Sequence, residues 1–431
     1  MMRRVGWLSV TVVAIATSCA SGADPPLPAA PDPPPDPNSL AERLTPTFQL
    51  RGRIEADAVM PAQSAASKAQ LGDFQNGFGF RRARLGAEGK VGTSSRWIAE
   101  WDFARGEVLF RDVFVGLTAL PGVREVRVGH FREPFSLEGA TSSRFITFME
   151  RSPLNQLDPT RNWGVAGYWW PENERMTFAI GAFRTGTDNS GLSISDAPNW
   201  SVTSRVTGLP VYEDGEVFRL VHLGAAFSQR HPPDGVVRYE PSPQSNLIDV
   251  SDNPASPFLP AVDVLSNSQQ LYNLQAAAVS GPLSVQGEWF GTTIQQRGAG
   301  MVFLHGFYAY TSYFLTGEHR GYDRTRAGFG QVHVLHPLVR TTETPASGCG
   351  AVELAARFTL ANFSSDNLPP SNLPNVGAPL GTILYQATLG VNWYLNDYTR
   401  LMANYTLAIP AARGLPVLPV HLFGIRTAIW W

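Results

Sequence analysis

Lysine is almost missing from this chain. Only Lys68 and Lys90 are lysine among the 34 basic residues, which leaves 32 arginines. Arginine keeps its charge at every relevant pH and offers a planar fork to carboxylate or phosphate, which suits an anion pathway; GC-rich coding produces the same bias. Charge as a whole is scarce, at 16% against about 25% in an average soluble chain. The two cysteines, Cys19 and Cys349, exclude a disulfide framework and a cysteine metal cluster. Beyond the N-terminal region no apolar run reaches the ~18 residues of a transmembrane helix. The net charge of −2 does not imply a nucleic-acid partner. The chain has no Gly-x-Ser-x-Gly elbow and no Walker loop. His333 and His336 have an H-x-x-H spacing that would point them to opposite faces of a strand, with no acidic ligand adjacent in sequence. They read as loop histidines, and no metal or cofactor is expected.

What the chain does have is aromatic and apolar residues spread thinly. There are 11 tryptophans and 24 phenylalanines, and 43% of residues are hydrophobic. Apolar residues dispersed over alternate positions, with little charge, fit a transmembrane β-barrel; a large secreted β-sandwich has the same composition. Residues 1–23 read as a signal peptide, with Arg3 and Arg4 before an apolar core and small residues at Ser21-Gly22-Ala23. Ala16-Thr17-Ser18-Cys19 loosely resembles a lipoprotein cleavage box. Residues 24–46 read as a periplasmic linker, proline-dense over 24–38 and therefore extended. The barrel is assigned to 47–431.

From Thr47 onward the pattern alternates with period two. Arg82, Arg84, Gly86 and Glu88 share one face of a strand, with Ala83, Leu85 and Ala87 on the other. Trp97, Ala99, Trp101 and Phe103 oppose Glu100 and Asp102 in the same way. Sixteen strands are predicted, at 47–58, 77–90, 95–104, 107–119, 123–131, 162–170, 174–185, 199–211, 215–230, 269–280, 283–297, 304–319, 351–362, 382–395, 398–408 and 420–431. An even number places both ends on one side, and long connections then alternate with short ones as in outer-membrane barrels. The long connection 321–350 breaks this rule. It either folds up into the pore mouth or hides another hairpin. Phe423, Ile425, Thr427, Ile429 and Trp431 share a face, and a last strand ending in an aromatic residue resembles the assembly signal of bacterial outer-membrane barrels.

One segment lacks the alternation. Residues 132–161 hold Arg132, Arg144, Arg151 and Arg161 with Glu133, Glu138, Glu150 and Asp158. A structureless stretch of this length in a compact domain is usually functional. It is expected to fold into the barrel and narrow it. The expected pore lining and constriction are Arg82, Arg84, Glu100, Asp102, Arg132, Arg144, Glu150, Arg151, Asp158 and Arg161. Rings of arginine are a known device for passing anions. Carboxylate pairs such as Glu100 and Asp102 read more simply as pore lining than as a general acid and base. A barrel enzyme and a structural protein tethered by the proline-rich arm are the competing readings. The first would need a catalytic set that the eight scattered histidines do not assemble.

The stretch GHFREPFSLEGATSSRFITFMERS (129–152), with Arg161-Asn162-Trp163-Gly164-Val165, resembles the phosphate-selective porin O and P family of bacterial outer membranes. Leu315-Thr316-Gly317-Glu318 before Tyr322, Gly350–Phe358 and Leu389–Leu395 continue the resemblance in the family's order, over Phe48–Trp431. It implies a sixteen-stranded trimeric porin in outer-membrane lipid, an inward-folded third loop, and passive uptake of small anions such as phosphate or polyphosphate. Arg132 stands where the family often has lysine, which keeps the charge but changes its shape and hydration.

Overall fold

The computed structural model describes residues 46–431 apart from 105, 119, 187–191, 193, 195–198, 240–246, 248–261, 343, 369–381 and 413–416. The expected signal peptide and, apart from Pro46, the expected linker lie outside the described residues. The strands are β1 (Gln49–Gln63), β2 (Gly77–Val91), β3 (Ser95–Asp102), β4 (Leu109–Leu117), β5 (Glu125–Arg132), β6 (Arg161–Trp169), β7 (Met176–Arg184), β8 (Trp200–Glu213), β9 (Arg219–Arg230), β10 (Val236–Tyr239), β11 (Val262–Ser280), β12 (Leu283–Gln296), β13 (Met301–Phe314), β14 (Tyr322–Asp323), β15 (Gly328–Phe329), β16 (Ala351–Asn362), β17 (Thr382–Asn396), β18 (Thr399–Ala412) and β19 (Val420–Trp430). Two short helices, α1 (Ala65–Leu71) and α2 (Leu137–Ala140), lie in connections.

Sixteen of these strands pair antiparallel with their sequence neighbours, and β1 pairs with β19 to close the ring. Closure leaves no edge, so the backbone groups of the wall bond within it, as a barrel in hydrocarbon requires. Among the described residues no helix is long and apolar enough to cross a membrane. The sixteen staves are the predicted ones with shifted ends. β10, β14 and β15 are short accessory strands; β10 pairs with the first residues of β11, which therefore begins at Val262 instead of 269. The predicted strand 304–319 begins and ends earlier, as β13, and the chain leaves it at Leu315.

Burial decides between sandwich and barrel. In β13 exposed and buried residues alternate almost strictly, with Phe303, Phe307 and Tyr313 each more than 40% exposed while Tyr308, Tyr310 and Ser312 are buried. In β2 Leu85 faces out while Arg82 and Arg84 are buried. In β19 Phe423, Ile425 and Ile429 are exposed and Arg426 is 1% exposed. A soluble sandwich would do the reverse. Apolar residues outside and arginine inside make sense only where the outer solvent is lipid.

The connections on the side of the chain ends are short, such as 92–94, 281–282 and 397–398, except 315–350. That segment contains the β14–β15 hairpin, and the ring closes without another stave. Near the start of the long loop, Gly129 has φ 140, and a Cβ there would lie 2.7 Å from the Phe114 Cα. Gly129→Ala is therefore expected to lower stability by about 1–3 kcal/mol, read from the guanidinium unfolding midpoint of the refolded barrel. An unshifted midpoint would show that the strand relaxes around the methyl group.

Candidate functional site

The loop between β5 and β6, residues 133–160, carries its own local structure. Ser136 caps α2 by accepting from the Gly139 N–H, and its hydroxyl donates to Asp158. Arg151 donates to the carbonyls of Glu138 (3.0 Å) and Thr141 (2.8 Å). Glu138 accepts from the Ser152 N–H at 3.0 Å. Burial pushes the carboxyls of Glu138 and Asp158 above their ordinary range.

Side chains on the buried faces of distant strands hold the loop backbone. Glu288 on β12 accepts the N–H groups of Leu137 and Glu138, each at 2.8 Å. These are orphan donors at a helix start, and a carboxylate there complements the helix dipole. Gln275 on β11 donates to the Phe135 carbonyl at 2.6 Å. Along the other wall, Arg400 donates to the Ile146 carbonyl (3.0 Å), Asn392 to that of Thr147 (2.8 Å), Arg426 to that of Met149, and Arg357 to that of Glu150 (3.1 Å). Phe135, Phe148, Leu154 and Leu157 join the largest buried apolar cluster, with Phe290, Tyr308 and Tyr310. Gly306 makes room for Leu154, because any Cβ there would collide with that side chain.

The connection 315–350 meets the same loop. The Phe329 N–H donates to the Thr141 hydroxyl at 3.1 Å, and Arg205 on β8 donates to the Ala327 carbonyl at 2.8 Å. His333 is exposed and pairs with Asp397 at 3.0 Å.

Between loop and wall lies a cavity of about 350 Å³ lined by fourteen arginines and four carboxylates, Glu100, Asp112, Glu133 and Asp323. Seven of the ten expected site residues line it: Arg82, Arg84, Glu100, Arg132, Arg144, Arg151 and Arg161. Asp102, Glu150 and Asp158 do not. They stand behind as partners: Asp102 takes Arg84 at 2.7 Å, Glu150 takes Arg81 and Arg426 at 2.6 Å, and Asp158 takes Arg132 at 3.5 Å. Arg82 is paired with Glu55, and Arg161 grips Asp112 through two bonds at 2.9 and 3.2 Å.

The expected set leaves out Arg51, Arg53, Arg81, Arg96, Arg111, Arg127, Arg205 and Arg326, which also line the cavity. Alternation is the signal for several of them. Arg51 and Arg53 alternate in β1, Arg96 shares a face with Glu100 and Asp102, and Arg205 lies on the face opposite Val202 and Val206 in β8. That Arg205 meets the hairpin carbonyl depends on the fold and gives no signal in the sequence.

Two lining arginines differ from the rest. Among the described residues Arg144 and Arg205 have no carboxylate within ion-pair distance; Arg144 meets only the Ser142 hydroxyl at 3.5 Å, and Arg205 meets Gln275 and carbonyls. Burial, then the neighbouring Arg51 cation, pushes Arg144 down to about 10, so it stays charged at neutral pH.

Residues 48–410 match the family described as phosphate-selective porin O and P. Porin O of Pseudomonas aeruginosa is 25% identical over 84% of this chain and 83% of its own length. An uncharacterized protein of Caulobacter vibrioides is 28% identical over 88% of this chain and 73% of its own length. Among solved structures, an anion-selective porin from Comamonas acidovorans superposes with a TM-score of 0.53 at 13% identity, covering 90% of this chain and all of that one. The outer membrane channel DcaP of Acinetobacter baumannii does so at 0.51 and 11% identity, covering 90% of this chain and 97% of that one. These structural likenesses concern the fold alone. A closed sixteen-stranded barrel with lipid-type outer faces, together with the family match over most of the chain, places it: the chain belongs to the phosphate-selective porin O and P family and is an outer-membrane porin.

Proposed function

We propose that this porin passes small anions by diffusion, and that residues 133–160 fold inward to form its constriction. The observation that supports both is the cavity lined by fourteen arginines and four carboxylates, bounded by that loop, by strands β1–β8 and by residues 323–330. Surplus fixed cations beside a low-dielectric wall raise the local concentration of anions. Conduction then needs attraction weak enough for release, so no covalent step is involved. The family's description, phosphate-selective porin O and P, agrees with phosphate among the solutes. The family resemblance also favours a trimer in outer-membrane lipid; on this reading residues 1–23 are the export signal and 24–46 a periplasmic linker.

Zero-current potential in a planar bilayer across a potassium chloride gradient tests the reading. The expected sign is that of chloride permeating faster than potassium. A potential of the potassium sign would overturn the anion assignment.

A further inference from the structure

We propose that the arginine cavity favours anions carrying a flat aromatic body, benzoate-type monocarboxylates, over bare inorganic anions. This rests on the anion reading above and specifies the solute.

The cavity is not lined by cations alone. Phe114, Phe131, Phe135, Phe145, Tyr168 and Phe329 also border it, and Phe145 and Tyr168 are half-buried. The arginines lie over these rings. The Arg127 guanidinium is 4.0 Å from the Tyr168 centroid and 5.2 Å from that of Phe114; Arg96 is 5.1 Å from Phe114, and Arg144 is 5.3 Å from Phe145. Such stacks are stabilised by the ring quadrupole and present alternating guanidinium and carbon surfaces.

An inorganic phosphate needs donors around every oxygen and gains nothing from carbon surface. Several donors here are already engaged, since Arg96 and Arg127 both bond Glu125. An aromatic carboxylate uses both components. Its two oxygens match the fork of Arg144, which has no carboxylate partner among the described residues. Its ring buries apolar area against Phe145 or Tyr168. A cavity of about 350 Å³ is within the range that holds a small organic ligand.

The test is block of potassium chloride current through the full chain in a planar bilayer by sodium benzoate, acetate and phosphate, with the reversal potential recorded in the same membrane. Benzoate is expected to halve the current at about a tenfold lower concentration than acetate, the ratio that one ring–ring contact with Phe145 or Tyr168 supplies. Tyr168→Leu with Phe145→Leu should bring benzoate close to acetate. Equal block by benzoate and acetate in the wild type would overturn the proposal, and so would block by phosphate at a lower concentration than benzoate. In both cases a chloride-directed potential would leave the anion-channel reading standing. A potassium-directed potential would overturn that reading itself.

Discussion

Arg426→Leu is expected to lower the stability of the barrel by about 3–5 kcal/mol, because it breaks a buried ion-pair network from one side only. Arg426 is 1% exposed. Its guanidinium bonds Asp57 through two contacts at 2.6 and 2.7 Å, Glu150 at 2.6 Å, Glu55 at 3.3 Å, and the Met149 carbonyl. It therefore joins the seam between β19 and β1, where the ring closes, to the loop at 149–150. Without it Glu150 keeps Arg81 and Glu55 keeps Arg82. Asp57 and the Met149 carbonyl lose their guanidinium donor. The measurement is the guanidinium midpoint followed by tryptophan fluorescence, paired with single-channel recording. The midpoint should fall, and the open current should flicker between levels as the loop detaches near Met149. Asp57→Leu in the same chain should recover part of the loss, since an apolar replacement of both partners is often neutral or stabilising. An unshifted midpoint with a steady current would mean that the loop is held by its other tethers alone.

This network marks the boundary of what was readable from residue order. Arg82, Arg84, Glu100 and Leu85 were assigned to faces by parity alone, and the structure agrees, because in a strand the period of two is a local property. Sixteen staves and a long interruption after Arg132 were legible for the same reason. Arg426 was legible as an inward residue. Its attachment to Asp57 was not, although the two strands are hydrogen-bonded neighbours. That contact depends on ring closure and on register between opposite ends of the chain. The loop tethers were hidden more deeply. Glu288 on its strand looks like any lumen carboxylate. Only the path of the loop puts the N–H groups of Leu137 and Glu138 in front of it. Gly306 likewise reads as a weakness in a strand, until Leu154 is seen to occupy the space it leaves. The charged site was thus half legible. Which residues face inward follows from pattern, but which cations are neutralised by neighbours does not.

That distinction carries the second large prediction. A paired guanidinium and carboxylate form a dipole whose field decays quickly, whereas an uncompensated cation acts over a Debye length of about 8 Å at physiological salt. Arg144→Ala is therefore expected to reduce the chloride-to-potassium permeability ratio by about fivefold, since a unit charge at about 8 Å in water shifts each ion by about 0.5 kcal/mol, with opposite sign for the two. Arg144→Glu should roughly double that shift in free energy, because it removes one charge and adds the opposite one. The comparison that separates field from shape is the double variant Arg161→Ala with Asp112→Ala. It removes a bidentate pair from the same cavity without changing net charge, and the ratio should stay near that of the wild type. Raising the salt concentration should shrink the Arg144 effect by screening it. If the neutral double variant moved the reversal potential as far as Arg144→Ala, selectivity would lie in the cavity's shape, and the surplus of arginine would have to be explained by packing and by the loop tethers it supplies.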